Sequence, residues 1–208
     1  TRRRGKVAAL REALTEAPTA GRIGIAHTRW ATHGVPSEKN AHPHMSGDGL
    51  ALVHNGIIEN HEALRRELQG LGYVFDSETD TETVVHLIHH TYAACGDLRE
   101  AVRQAVQRLE GAYGLVVLHR DHPDELIAAR QGSPLVVGVG IGEMYLASDP
   151  LALRPVTDRF VFMEEGDLVV VRREGFEVFS VDDETQVRAT VRMLAPKRTN
   201  SAYSNSDR

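Results

Sequence analysis

The sequence of 208 residues is long enough for one domain with a single buried core, and its 41% hydrophobic and 25% charged residues are ordinary for a soluble globular protein. No apolar run approaches the ~20 residues that a membrane-spanning helix needs. The formal net charge is -5 and the one basic cluster, Arg2 to Lys6, is short, which argues against a nucleic-acid-binding surface.

The first quarter of the chain carries a helical pattern followed by extended ones. Apolar residues of 6–15 recur with a spacing near 3.6, which predicts a helix. The run RIGIAHT at 22–28 predicts a strand, and LALVHNG at 50–56 predicts a second strand that ends at an Asn-Gly pair. The intervening segment, 29–48, shows little apolar periodicity and exceeds an ordinary connection, so we expect it to be functional.

Three helical patterns follow, and then a series of short strands. Helices are predicted over 60–72, 80–94 and 98–109, and Asp80 is expected to cap the second of them. From Ala112 onward, seven short runs of Val, Ile, Leu and Phe are separated by turns. Near-continuous apolar runs indicate sheets covered on both faces, and strands grouped apart from helices indicate an α+β fold with mainly antiparallel sheets.

Eleven histidines raise the question of a metal site. Candidate imidazoles are His42 and His44 together with His27, His33 or His54, and the HLIHH run adds others on one helix. The sequence has no HExxH or CxxC spacing. Partly buried or surface histidines are therefore the better interpretation, and we predict no metal.

Two possible nucleophiles are also weighed. Cys95, the only cysteine, falls at the predicted C-terminus of a helix, where the helix dipole disfavours a thiolate, so we expect a structural role. An N-terminal threonine can use its own amine as a base, but Thr1 begins a charged and flexible stretch. A single cysteine also excludes an internal disulfide and fits a reducing compartment, so we expect a cytoplasmic protein.

Polar side chains at the ends of predicted elements suggest a small-molecule site. Arg29 is suited to a bidentate grip on a carboxylate, and Asp80 to binding an ammonium group, so the pair would recognise both α groups of an amino acid. The side-chain NH₂ of Asn55 and the backbone N–H of Gly56 provide two donors of the kind an oxyanion hole needs. Taken singly, a surface ion pair and a plain turn explain these residues better.

Several motifs occur together in one order: GIAHTRWATHG, NAHPH, HNGIIENHE and SETDTE, followed by GAYG, AARQGSPLVVGVG, YLASDPLAL and FMEEGDLVVV. This set resembles the glutaminase domains of the glucosamine-6-phosphate synthases, which are class II glutamine amidotransferases, over about residues 5–181. The resemblance implies an N-terminal nucleophile hydrolase-like fold, a four-layer αββα sandwich with antiparallel sheets. It also implies hydrolysis of the glutamine side-chain amide by an N-terminal cysteine through a thioester, with release of ammonia and without a cofactor.

The resemblance also assigns roles to individual residues. Arg29 matches the residue that holds the α-carboxylate of glutamine, and Asp80 matches the residue that meets its α-ammonium. Thr32 and His33 match positions of the substrate pocket. Asn55 and Gly56 match the oxyanion hole, and Trp30 matches the gate of the ammonia channel.

The sequence departs from the family pattern in its N-terminal part. The family's nucleophile begins a CGIVG strand, a YRGYDSAG segment follows it, and neither motif is present. We therefore expect an N-terminally incomplete amidotransferase domain over 1–184, with the first strands missing, and a divergent, disordered tail over 185–208. We expect this chain to be inactive alone, because the N-terminal cysteine nucleophile is missing. In the family, which is expected to be homodimeric, the ammonia passes to a sugar isomerase domain of the same chain, and that domain is also absent from the sequence. The alternative is a non-catalytic module that binds glutamine or another protein.

Overall fold

The computed structural model describes residues 1–29, 35–47 and 49–182, and the backbone of the pairs 186–187 and 192–193. The helices in these residues are α1 (Val7–Glu16), α2 (His61–Gly70), α3 (Asp80–Cys95) and α4 (Leu98–Val106), with a 3₁₀ turn at Pro150–Ala152. The strands are β1 (His44–Ser46), β2 (Leu50–Ile58), β3 (Gly111–His119), β4 (Glu125–Gln131), β5 (Val136–Val139), β6 (Met144–Ala147), β7 (Arg159–Phe162), β8 (Asp167–Arg172), β9 (Gly175–Ser180), β10 (Gln186–Val187) and β11 (Arg192–Met193). None of these helices is both long and apolar enough to cross a membrane.

The described strands form two antiparallel sheets. The larger sheet has the order β1-β2-β3-β4-β8-β9-β10 and the smaller one the order β11-β7-β5-β6. The predicted α+β class with antiparallel sheets is confirmed, and the seven strand patterns after Ala112 correspond to β3–β9. Two short strands, β10 and β11, lie within the segment predicted as a tail, and the other residues of 183–208 lie outside the described part of the chain.

The larger sheet is buried on both faces because successive side chains of a strand point to opposite sides. On β3, Leu115 and Val117 face a cluster shared with α2, α3 and α4, whereas Val116 faces a second cluster shared with the smaller sheet. Val137 of β5 belongs to that second cluster. At the next position, Gly138, a Cβ atom would point to the other side of the sheet, toward Leu153 and Thr157. The layers are therefore helices, large sheet and small sheet, as the near-continuous apolar runs predicted.

The prediction of a strand over 22–28 is wrong. This segment forms no backbone ladder with any described strand. An apolar pattern indicates which side chains are buried, but a strand also needs a neighbouring strand that pairs with its backbone N–H and C=O groups. Side-chain burial nevertheless alternates along this segment. The partly buried residues are Ile23, Ile25, His27 and Arg29, and the residues between them are exposed. Strand β1 was not predicted, because three residues between turns carry too little pattern.

Helix α3 begins at Asp80, one residue earlier than a cap at Asp80 requires, so that prediction is also wrong. Thr79 is the N-cap, and its hydroxyl accepts the backbone N–H of Glu82. The Glu82 carboxylate in turn accepts the backbone N–H groups of Asp76 and Ser77, which fixes the loop before the helix. The Asp80 carboxylate is thereby left for other partners.

Buried polar contacts join β1 to α3. His44 is 2% exposed and its Nε2 lies 3.0 Å from the Thr79 hydroxyl. Ser46 Oγ lies 2.7 Å from Nδ1 of His86. Burial lowers the pKa of His44 to about 4 and also lowers the pKa of His86. Both imidazoles are neutral parts of the core at neutral pH.

We predict that His44 makes folding less favourable in acid. Its pKa is about 4 in the folded protein and 6.5 in the unfolded chain, so the unfolded state binds the proton first as the pH falls. The loss begins near pH 6.5 and is complete near pH 4, and it amounts to at most about 3 kcal/mol. Urea unfolding at several pH values measures it.

His44→Gln is the matched comparison, because an amide can stay near the Thr79 hydroxyl but takes up no proton. The free energy of unfolding of this variant should fall less steeply than that of the wild type between pH 6.5 and pH 4, while the two proteins run parallel between pH 7 and pH 8. Equal slopes in the acidic range would show that His44 is not held neutral.

Candidate functional site

A cavity of ≈ 150 Å³ lies where the end of β2 meets the start of α3. Four of its lining residues are the predicted site residues Arg29, Asn55, Gly56 and Asp80. The six others are His27, Thr28, His42, His54, Thr79 and Thr81. The volume is below the ~300–1,000 Å³ typical of drug-sized ligands, and it suits a molecule the size of an amino acid.

Arg29 reaches the cavity because the segment before it is extended. His27 and Arg29 are two residues apart and both are partly buried, whereas Thr28 between them is exposed. The period of two places the imidazole and the guanidinium on the same side of the segment.

Asp80 is 3% exposed, and two backbone groups compensate its buried charge. Its Oδ2 accepts the N–H of Ile58 at 2.9 Å, and its Oδ1 accepts the N–H of Thr81 at 2.9 Å. As the first residue of α3, Asp80 also lies at the positive end of the helix dipole. These contacts fix the carboxylate at one end of the cavity and tie the last residue of β2 to the helix.

Asn55 and Gly56 lie near the end of β2, on the wall of the same cavity. Gly56 has φ +129°, and a Cβ there would lie 2.0 Å from the carbonyl oxygen of Ala112 on β3. No other residue fits this position without moving the backbone. The side chain of Asn55 is exposed, and its Oδ1 lies 2.8 Å from Nε2 of His27.

The cavity also holds imidazoles, which the sequence indicated only as unlikely metal ligands. The rings of His27 and His42 stack with centroids 4.2 Å apart. The backbone N–H of His54 donates to Nδ1 of His42 at 3.2 Å, and Nε2 of His42 lies 3.3 Å from the Thr81 hydroxyl. His42 is therefore protonated on Nε2 only, since Nδ1 is occupied as an acceptor.

Burial holds these imidazoles neutral. It is the main cause that lowers the pKa of His42 to about 2, and the proximity of the His27 and His44 imidazoles lowers it further. Burial also lowers the pKa of His27. Among the residues that the structure describes, no group of three His, Cys, Asp or Glu side chains is arranged to hold a metal ion.

Three predicted site residues, Trp30, Thr32 and His33, lie outside the described residues. Sequence reasoning missed His27, His42 and Thr81 as parts of the site. The histidines carried a signal, because they belong to the same motifs as the predicted residues. Thr81 carried none, since its contact with an imidazole 39 positions away depends on the tertiary fold.

The similarity of this chain to known proteins extends over most of its length. A sequence model described as a glutamine amidotransferase domain matches residues 27–155, more than half of the chain. The glutamine–fructose-6-phosphate aminotransferase (isomerizing) of Pseudomonas syringae pv. tomato is 60% identical over 190 residues, which are 91% of this chain and 31% of the relative. The enzyme of the same name from Escherichia coli is 57% identical over 178 residues, which are 86% of this chain and 29% of the relative. The chain thus spans about a third of the length of these relatives.

Solved structures share the fold. The glutamine phosphoribosylpyrophosphate amidotransferase of B. subtilis matches with a TM-score of 0.63 and 27% identity, over 76% of this chain and 34% of that one. A structure described as the allosteric regulatory enzyme of purine biosynthesis matches with a TM-score of 0.64 at the same identity and coverage. The sequence match, the close relatives and the shared fold agree, and the chain belongs to the glutamine amidotransferase domain family.

Proposed function

We propose that this chain holds L-glutamine in the cavity for hydrolysis of its side-chain amide. The observation that supports the proposal most strongly is the meeting of Arg29, Asp80 and the Asn55-Gly56 pair around one small cavity. The guanidinium is complementary to the α-carboxylate of glutamine, the carboxylate to its α-ammonium, and the two hydrogen-bond donors to its amide carbonyl.

The two charged residues recognise the α groups. The planar guanidinium of Arg29 binds the α-carboxylate through two parallel hydrogen bonds. Asp80 binds the α-ammonium through its negative charge, and the N–H groups of Ile58 and Thr81 hold the carboxylate in place for this contact. The buried position of Asp80 strengthens this contact, since water screens it little.

The Asn55-Gly56 pair stabilises the charge that develops during hydrolysis. The side-chain amide of Asn55 and the backbone N–H of Gly56 donate to the oxygen of the tetrahedral intermediate. The forced glycine at position 56 supports this role, since its missing side chain lets the backbone approach β3 closely. By the family resemblance, Thr32 and His33 complete the pocket and Trp30 gates the route of ammonia; all three follow Arg29 within four positions of the sequence.

Cys95 is too far away to be the nucleophile of this site. It ends α3, whose first residue, Asp80, lines the cavity. Fifteen residues at 1.5 Å each separate them by about 22 Å along the helix axis. We therefore assign the attack to an N-terminal cysteine carried by a segment outside these 208 residues, as the family resemblance implies.

The fold offers a place for such a segment. A slot of ≈ 350 Å³ runs between the two sheets, and Val53, Asn55 and Leu146 are among its lining residues. Strand β6 is the edge of the smaller sheet as described, so its outer backbone groups offer a template for another strand. Residues of β6 and Asn55 line the same slot, so we propose that a strand paired with β6 runs toward the cavity.

The relatives' names support an acceptor for the ammonia. We propose that it serves the conversion of fructose 6-phosphate and glutamine to glucosamine 6-phosphate and glutamate in a cytoplasmic homodimer. The isomerase domain would belong to the same protein, with 1–184 as the amidotransferase domain and 185–208 as a tail. A second candidate is a module that binds glutamine without hydrolysing it, which the distance from Cys95 to the cavity favours for the isolated chain.

We predict that L-glutamine binds this chain and that Asp80→Asn weakens the binding at least about tenfold, the effect of one charged hydrogen bond. Isothermal titration calorimetry measures it. Glutaramate, which is glutamine without its α-ammonium, should lose less affinity than glutamine, because the variant removes one backbone contact of residue 80 for both ligands but the charge contact for glutamine alone. Asp121→Asn, on the exposed turn after β3, is the matched control.

Equal losses for glutamine and glutaramate would contradict the role of Asp80. No heat with millimolar glutamine would contradict the proposed function as a whole.

We also predict that the isolated chain releases no ammonia from glutamine above the background rate, because the cavity lacks a thiol. Cys95→Ala should behave as the wild type in a coupled ammonia assay. Release that survives this substitution would show that another group is the nucleophile. Release that the substitution abolishes would assign that role to Cys95.

A further inference from the structure

We propose that His27 is a positioning residue that orients the side-chain amide of Asn55 for the oxyanion hole. Its Nε2 lies 2.8 Å from Oδ1 of Asn55, on the wall of the cavity. The inference rests on the proposed function and assigns a task to a residue that the sequence considered only as a metal candidate.

An asparagine side chain needs such a partner because its two ends have opposite roles. The carbonyl oxygen accepts hydrogen bonds and the NH₂ group donates them. An oxyanion hole requires the donor end. When the Nε2–H of His27 donates to Oδ1, the NH₂ of Asn55 is the end that remains for the substrate oxygen. The reversed amide would place a lone pair against the developing negative charge.

The environment of His27 fixes both its ring position and its charge. The ring stacks on that of His42 with an interplanar angle of 20°. The backbone N–H of His54 and the hydroxyl of Thr81 hold His42 in place. Burial is the main cause that lowers the pKa of each ring, and the charge of Arg29 lowers both. The hydrogen bond to Asn55 acts in the opposite direction on His27, but its pKa stays below the ordinary value, so a neutral ring faces Asn55 at neutral pH.

The same contacts connect the two ends of the cavity. Thr81 holds Nε2 of His42 and donates its backbone N–H to Asp80, which meets the ammonium group in the proposed complex. His42 in turn stacks on His27, and His27 contacts Asn55 at the amide end of the cavity. The position of the donor for the amide oxygen is thus set relative to the carboxylate for the ammonium.

The first test is the protonation state of His27 in the 208-residue chain. In a ¹⁵N-labelled sample, the ring nitrogen shifts distinguish the two neutral tautomers, and His27→Gln identifies the resonances. We expect a proton on Nε2 and none on Nδ1 at pH 7.5. A proton on Nδ1 alone would overturn the proposal, because Nε2 would then accept from the Asn55 amide.

The second test compares ligands with and without the amide. L-norvaline has the α groups of glutamine but an apolar side chain. We expect His27→Ala to weaken glutamine binding by about fivefold, the effect of one hydrogen bond, and to leave norvaline binding unchanged. His27→Gln carries an N–H donor near the position of Nε2 and should restore glutamine binding. His90→Ala, on the far half of α3, is the control.

The mutant cycle with Asn55→Ala separates positioning from a general structural role. In that background His27→Ala should cause no further loss, since the residue acts through Asn55. Equal losses for both ligands, or additive losses in the double variant, would overturn the role of His27 and leave the proposed function standing. Failure of the wild type to bind either ligand would overturn the proposed function and this inference with it.

Discussion

The carboxylate of Asp80 accepts backbone N–H groups from two elements that are distant in sequence, and the geometry of the cavity depends on this contact. Ile58 ends β2 and Thr81 lies in the first turn of α3. The contact joins the strand that carries Asn55 and Gly56 to the helix that carries the acidic residue. The N-cap at Thr79 leaves the carboxylate available for this purpose, because the Thr79 hydroxyl satisfies the first turn of the helix.

Several polar side chains are buried around this contact. Imidazoles and hydroxyls link β1 and β2 to α3, and they tolerate burial because each is a neutral partner in a hydrogen bond. The clearest case is His42, whose Nδ1 accepts a backbone N–H and so has no place for a second proton. The two apolar clusters lie on the helix-facing and sheet-facing sides of the larger sheet.

Periodicity in the sequence was sufficient for most of the fold. The helices and the strands β2–β9 follow from spacing and turn residues, because their apolar faces are repeated over several positions. It failed at 22–28, where the side chains alternate as in a strand but the backbone has no described neighbour. For the site, strand and helix ends indicated Arg29, Asn55, Gly56 and Asp80, and the family resemblance assigned their roles. Patterns along the chain do not show which distant residues meet, so the partners of His42 and the contact of Asp80 with Ile58 required the structure.

In the proposed function the site holds glutamine, while the only cysteine of the sequence lies at the far end of α3. The proposed function therefore separates binding from bond cleavage in this chain. A crystal structure of the chain with L-glutamine tests the central claim most directly. The proposed function predicts the α-carboxylate on Arg29, the α-ammonium on Asp80, and the amide oxygen facing Asn55 and Gly56. Glutamine bound elsewhere, or in the reverse orientation with its amide at Asp80, would contradict it.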